Sequence, residues 1–241
     1  MVRRTKEQAL ATRDLILDTA ERVFQQRGVS RTSLHEIAQS AGLTRGAIYW
    51  HFQNKADLFD AMMLRVTLPL ECGMERSVAS DAGAPLAQIR HRVAEALGQT
   101  VRDPQLRRVF EIAAHRTEYV DELLPVRERR IRLREAWLSD LERIFTAARS
   151  LGQVRPETDC RIASLGVHAL IDGLLHNWLL DPSAFELETV GLAALDSYLG
   201  GLAPVDRAAT ASQPAPVTRL PTRVSTARPA VARGARRRPA F

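Results

Sequence analysis

The chain has 241 residues, 45% of them hydrophobic, and a formal net charge of +6, enough length for one or two domains. Its two cysteines, Cys72 and Cys160, exclude a disulfide framework and a zinc cluster, so the chain reads as cytoplasmic. The opening MVRRTKE has no apolar run, which excludes a signal peptide.

No stretch alternates apolar and polar residues with β-branched enrichment, so no strand is expected and the fold class is all-α. The first helix is predicted over 6–27, with Ile16, Ala20, Val23 and Phe24 in one apolar stripe and Gly28 ending it. Ser33 and Glu36 form a capping box for a short second helix, whose inward face is Leu34, Ile37, Ala38 and Ala41. Gly42 permits a tight turn, and Thr44 is a good N-cap for a third helix over 45–52. Asn54 caps a fourth helix running to about 75, with Asp57 favourable in its first turn.

The stretch SDAGAP at 80–85 reads as a loop. Helices are expected at about 85–101, 104–116, 120–150, 158–181 and 184–199, with Pro125 at a helix start or kink. The apolar-rich window 162–180 contains His168, Asp172, His176 and Asn177, which fits a buried helix and no membrane span. From Pro204 onward the chain is mostly Ala, Pro, Thr, Ser and Arg and is expected to be disordered. Charge follows this division. Residues 1–55 carry nine basic and five acidic residues, net +4; 56–203 carry 17 and 22, net −5; 204–241 carry eight and one, net +7. Basic ends on an acidic middle point to nucleic acid contact.

Residues 33–52, SLHEIAQSAGLTRGAIYWHF, give helix, four-residue turn and helix, the layout in which the second helix enters the major groove. Packing of 34, 37, 38, 41, 48 and 52 leaves Thr44, Arg45, Tyr49, Trp50 and His51 outward. Arg45 can reach a guanine edge with its bidentate fork. Thr44, Tyr49, His51 and Lys55 can donate to phosphates, which fix register. An ordinary helical hairpin with a few surface aromatics has the same pattern.

The run 3–59 resembles the N-terminal domain of the TetR family. It is most similar to the AcrR/TtgR-type repressors of multidrug efflux (RND pump) operons. The residues that carry this are VRRTKEQALATRD at 2–14 and RTSLHEIAQSAGLTRGAIYWHFQNKADLF at 31–59, above all GAIYWHF followed by Asn54-Lys55. Shorter pieces follow: Phe110-Glu111-Ile112 with His115, Ile171-Asp172-Gly173-Leu174, and Trp178-Leu179-Leu180. The tail after Leu202 departs from the shorter family members.

The resemblance implies a helix-turn-helix DNA-binding domain over 1–55, a helical ligand-binding and dimerisation domain over 56–203, and a tail over 204–241. It implies a homodimer through the last two helices, double-stranded operator DNA as partner, and release by a small hydrophobic or amphipathic ligand. The family's DNA contacts fall on Thr32, Ser33, Thr44, Arg45, Gly46, Tyr49, Trp50, His51 and Lys55, with Arg3, Arg4 and Lys6 as an arm. His115 and Asp172 match the family's ligand-binding part, and an acid at 172 favours cationic or hydrogen-bond-donating ligands.

From the apolar pattern, Leu64, Leu68, Ile89, Val93, Phe110, Ala114, Leu133, Trp137, Ile171 and Leu175 are expected to line a pocket. Each also fits plain core. His168, Asp172 and His176 recur every four residues on one helix. Such ligands rotate apart, so a polar strip at a pocket or at a dimer seam is expected and no metal. Cys72 and Cys160 read as buried inert thiols. The Arg run at 127, 129, 130, 132 and 134 is interspersed with Glu122, Glu128 and Glu135 and reads as a solvated face. No phosphate loop and no G-x-S-x-G is present, so no enzyme and no cofactor is expected. The expected function is a ligand-responsive repressor of an efflux operon. The alternatives are a regulator of lipid or catabolic genes and a DNA-binding protein without an inducer.

Overall fold

Capping side chains and glycines explain where several of the helices start and stop. The computed structural model describes residues 3–78, 84–119 and 121–204, with the side chains of 3–5, 68–78 and 121 excepted. The side chains of Arg3, Arg4, Leu68 and Cys72, most of the loop at 80–85, and the tail beyond Pro204 therefore lie outside the described residues.

Helix α1 spans Arg3–Arg27, α2 Leu34–Ser40, α3 Arg45–His51 and α4 Lys55–Val78. Helices α5 (Pro85–Arg102) and α6 (Pro104–His115) follow. A 3-10 turn at Asp121–Leu123 then leads into α7 (Leu124–Ser150), α8 (Cys160–Leu180) and α9 (Leu187–Leu202). All described elements are helical, as the sequence pattern implied. The expected helix over 120–150 is divided: the 3-10 turn comes first, and Pro125 sits in the first turn of α7, where its missing N–H is harmless.

Gly28 closes α1 at φ +82°, a conformation that disfavours a side chain. Ser33 caps α2: its hydroxyl accepts from the Glu36 amide at 3.2 Å, and Glu36 accepts the Ser33 amide at 2.8 Å. Gly42, at φ +68°, makes the turn to α3. Thr44 caps α3 by accepting from the Ala47 amide at 3.2 Å. Asn54 caps α4 by accepting from the Asp57 amide at 2.9 Å, and Asp57 accepts the Gln53 amide at 3.0 Å.

Two apolar cores result. The first joins Ile16, Phe24, Ile37, Ile48 and Phe52 to Phe59 and Met62 of α4, Val109 and Ile112 of α6, then Leu123 and Val126. It runs past residue 55 without a break. The second joins α5, α7, α8 and α9 through Ile89, Leu97, Phe145, Val167 and Leu195. Phe110 packs against both. A buried charge also crosses the first: Glu21 of α1 pairs with Arg65 of α4 and accepts from Gln105 of α6 at 2.9 Å. Such a group is tolerated because it is paired on several sides.

Candidate nucleic-acid interface and ligand cavity

The amphipathic division of α2 and α3 sets the first site. Ile48 is fully buried beneath α3, and Leu34, Ile37 and Ala38 are buried beneath α2. The opposite side of α3 presents Thr44, Arg45, Gly46, Tyr49 and Trp50 to solvent, with Trp50 72% exposed. Trp50 and Tyr49, the latter 46% exposed, put two adjacent aromatic rings on this face. The Arg45 guanidinium lies over the Tyr49 ring, 5.5 Å from its centre. Trp50 meets His51 edge to face at 4.5 Å. Burial, then the nearby Arg13, hold the His51 imidazole below its usual pKa. Ser33 is exposed at the start of α2, and Lys6 is exposed on α1.

Two expected DNA contacts, Thr32 and the phosphate donor Lys55, are turned inward. Thr32 is buried, and its hydroxyl donates to the Gly28 carbonyl at 2.8 Å. Lys55 is buried, and its ammonium donates to the carbonyls of Thr32 at 2.9 Å and Ser30 at 3.3 Å and ion-pairs with Glu122 at 2.6 Å. An ammonium has three hydrogens, so Lys55 has none left for a phosphate. Sequence reasoning passed over Arg31, Gln53 and Asn54, which border one groove with Ser33 and Tyr49. They lie in turns, where helical periodicity gives no signal.

The second site lies at the seam of the two cores. A cavity of about 270 Å³ opens between α4, α6, α7 and α8. Phe59, Met63 and Leu64 come from α4, Phe110 and Ala114 from α6, Val126 and Leu133 from α7, and Leu175 and Leu179 from α8. Polar groups interrupt this wall. Asp60 of α4 pairs with Arg129 of α7 at 3.4 Å. Burial raises the Asp60 pKa, opposed by Arg129. Arg130 donates to the Tyr119 hydroxyl at 2.7 Å. Asp172 and His176 complete the lining. A few placed polar groups in an apolar cavity are the usual form of a small-molecule site.

Of the expected lining residues, Leu64, Phe110, Ala114, Leu133, Asp172 and Leu175 border the cavity. Ile89, Val93 and Ile171 are instead buried in the second core, because their faces meet the packing of α5, α7, α8 and α9. Trp137 and His168 meet each other edge to face at 5.3 Å, away from the cavity wall. His115 stands behind the wall, its Nε2 3.2 Å from the His176 carbonyl and its ring 4.3 Å from that of His176. The Arg run of α7 is not uniformly solvated: Arg129 is half-buried, and it and the exposed Arg130 both border the cavity. Sequence reasoning missed them, Asp60 and Tyr119, since a contact between α4 and α7 leaves no local spacing. Cys160 is a buried free thiol. Among the described residues no three His, Cys, Asp or Glu side chains converge as a metal site, and no helix is long and apolar enough to cross a membrane.

Ile162, Leu165, Leu180 and Val190 form a third feature, exposed apolar side chains on α8 and α9, with Ile162 65% and Leu180 64% exposed.

Two family models match the chain. "Bacterial regulatory proteins, tetR family" covers residues 16–62, and "MAATS-type transcriptional repressor, C-terminal region" covers 84–203. The HTH-type transcriptional regulator TtgR of Pseudomonas putida is 38% identical over 191 residues, 78% of this chain and 89% of that protein. The crystal structure of NalD, the secondary repressor of the MexAB-OprM multidrug efflux pump in Pseudomonas aeruginosa, is 38% identical with a TM-score of 0.74, covering 81% of this chain and 98% of that one. The SmeT–triclosan complex is 34% identical with a TM-score of 0.70, covering 86% and 99%. SmeT is the repressor of the Stenotrophomonas maltophilia multidrug efflux pump SmeDEF. With its helix-turn-helix, its two cores and these matches along most of its length, the chain belongs to the TetR family of bacterial regulatory proteins.

Proposed function

We propose that the chain represses a multidrug efflux operon and leaves its operator when a small hydrophobic or amphipathic compound fills the cavity. Residues 1–55 serve as the DNA-binding part, and 56–203 as the ligand-binding and dimerisation part. Arg45 reads a base edge. Ser33, Thr44, Gly46, Tyr49, Trp50 and His51 contact backbone or base edges around it, and Lys6 with Arg3 and Arg4 forms an arm. Two copies join through α8 and α9, where the exposed Ile162, Leu165 and Leu180 would become buried.

The observation that carries the ligand response is the double role of α4. Phe59, Asp60, Met63 and Leu64 of this helix border the cavity, and three residues before its start stands Phe52, the C-cap of α3. A ligand that pushes α4 therefore moves the recognition unit. Release requires the ligand to bind the operator-incompetent arrangement more tightly, and operator and ligand then weaken each other by the same factor.

The test uses the full chain and the tightest duplex that it selects from a random-sequence pool. The complex is titrated with triclosan and a panel of other amphipathic aromatic compounds, followed by fluorescence anisotropy. Release by panel members is expected, with loss of that response in Ala114→Trp, which fills the cavity. A duplex held unchanged across the panel, or released equally from Ala114→Trp, contradicts the proposal.

A further inference from the structure

The partners of Lys55 come from both functional parts of the molecule. Thr32 and Ser30, whose carbonyls it binds, form the turn before α2, while Glu122 belongs to the 3-10 turn before α7. The same turn is gripped by the stretch that follows α6. The Val29 amide donates to the Arg116 carbonyl at 2.8 Å, and the Ser30 hydroxyl reaches the Glu118 carbonyl at 3.5 Å. Leu123, 1% exposed, is anchored in the core that holds Ile37 and Ile48.

The stretch has a second side. Tyr119 follows Glu118 directly and forms part of the cavity wall. Its hydroxyl accepts from Arg130 and donates to the Ala113 carbonyl at 3.2 Å, and the Arg130 guanidinium lies 5.8 Å from the ring centre. A molecule entering the cavity meets Tyr119 on one side of the stretch that holds Val29, Ser30 and Lys55 on the other.

We propose that Lys55 and Glu122 form a clasp that positions the recognition unit, and that Tyr119 is the residue through which the cavity acts on it. This gives a second link from cavity to DNA-binding part, beside α4, and it deepens the repressor reading on which it rests. Lys55 is then a positioning residue and no phosphate contact. It is also the first residue of α4, so both links end at the same point. The clasp is built to open at one side. The Lys55 side chain is 5% exposed and keeps its two carbonyls, whereas the Glu122 side chain is 54% exposed and is solvated on separation. Separation leaves the buried Lys55 charge without its carboxylate, so the closed clasp is favoured until a ligand displaces the stretch that holds Glu122.

The test measures operator affinity of the full chain, ligand-free, at several salt concentrations on the selected duplex. The variants are Lys55→Met, Glu122→Gln, Tyr119→Ala and the double Tyr119→Ala/Glu122→Gln. Each single change is expected to weaken binding about three- to tenfold, and Tyr119→Ala to add less than about twofold once Glu122 is gone, as members of one network do. The salt slope of Lys55→Met should equal that of wild type. A slope shallower by about one unit for Lys55→Met makes it a phosphate contact and overturns the clasp. So does wild-type affinity in Glu122→Gln, or an equal factor for Tyr119→Ala in both backgrounds. Should Lys55→Met fail to fold, by circular dichroism, the other variants decide, since both change partly exposed side chains. A wild type that selects no duplex refutes the repressor reading itself, an outcome distinct from these.

Discussion

At the scale of single residues, Arg45 is the side chain proposed to read a base edge. Its stacking on Tyr49 restrains a long side chain before DNA arrives, so less freedom is lost on binding. Arg45→Ala should weaken operator binding by about 1–3 kcal/mol and relax base choice at one position of each half-site. Selection from a pool randomised at that position checks this, and an unchanged preference would remove Arg45 from base reading. Glu36 makes a different prediction. The Ser33 amide first, then its hydroxyl, hold the Glu36 carboxyl below the ordinary carboxylate range. The unfolded chain then binds its proton more readily than the folded one. The stabilisation is full above the ordinary carboxylate pKa and is lost as pH falls through the depressed folded value. Glu36→Gln should therefore lie below wild type in urea midpoint at neutral pH and converge with it in acid. Parallel curves across that range would show that Glu36 contributes nothing through its charge.

At the scale of elements, two helical glycines have opposite expectations. A methyl group at Gly166 of α8 would run into the ring and hydroxyl of Tyr198 of α9, whose hydroxyl donates to the Ala163 carbonyl at 3.1 Å. Gly166→Ala should cost about 1–3 kcal/mol by overpacking this crossing. At Gly98 of α5 the atoms nearest the added methyl belong to the guanidinium end of Arg102, which can swing away. Gly98→Ala should raise stability by up to about 1 kcal/mol, as Ala does over Gly inside a helix. Chemical denaturation of both variants checks the pair, and equal effects would mean that the α8–α9 crossing is not tight at Gly166. The elements themselves were largely legible in the sequence, because caps and breakers act within a few residues: Ser33 with Glu36, Thr44, Asn54 and Pro125 each do so. The cavity was legible only in part. Leu64, Phe110, Leu133 and Leu175 fall on it, while Ile89 and Val93 have the same periodicity and fall in plain core. Periodicity marks the inward face of a helix and carries nothing about which neighbour that face meets. Lys55 shows the same limit for a polar residue, since its partners lie in the turn before α2 and in the 3-10 turn before α7.

At the scale of the whole molecule, the net charge of +6 is a sum of unlike parts. The basic character of 1–55, net +4, coincides with the recognition unit, whereas 204–241, net +7, lies beyond it. Deleting 204–241 should lower the salt slope of operator binding without changing the selected sequence, because eight arginines add contacts that do not read bases. An unchanged slope would show that the tail does not touch the duplex. The dimer makes the larger demand. In the proposed dimer, a two-fold axis through α8 and α9 would place two α3 helices on one side of the duplex, and the operator would share that symmetry. The most direct measurement is a nuclease footprint of the wild-type chain on its selected duplex. The expected result is protection of an inverted repeat whose half-sites lie about 34–36 Å, or a multiple of it, apart centre to centre. Protection without dyad symmetry, or uniform protection with no preferred sequence, would contradict a two-fold repressor that reads DNA through α3.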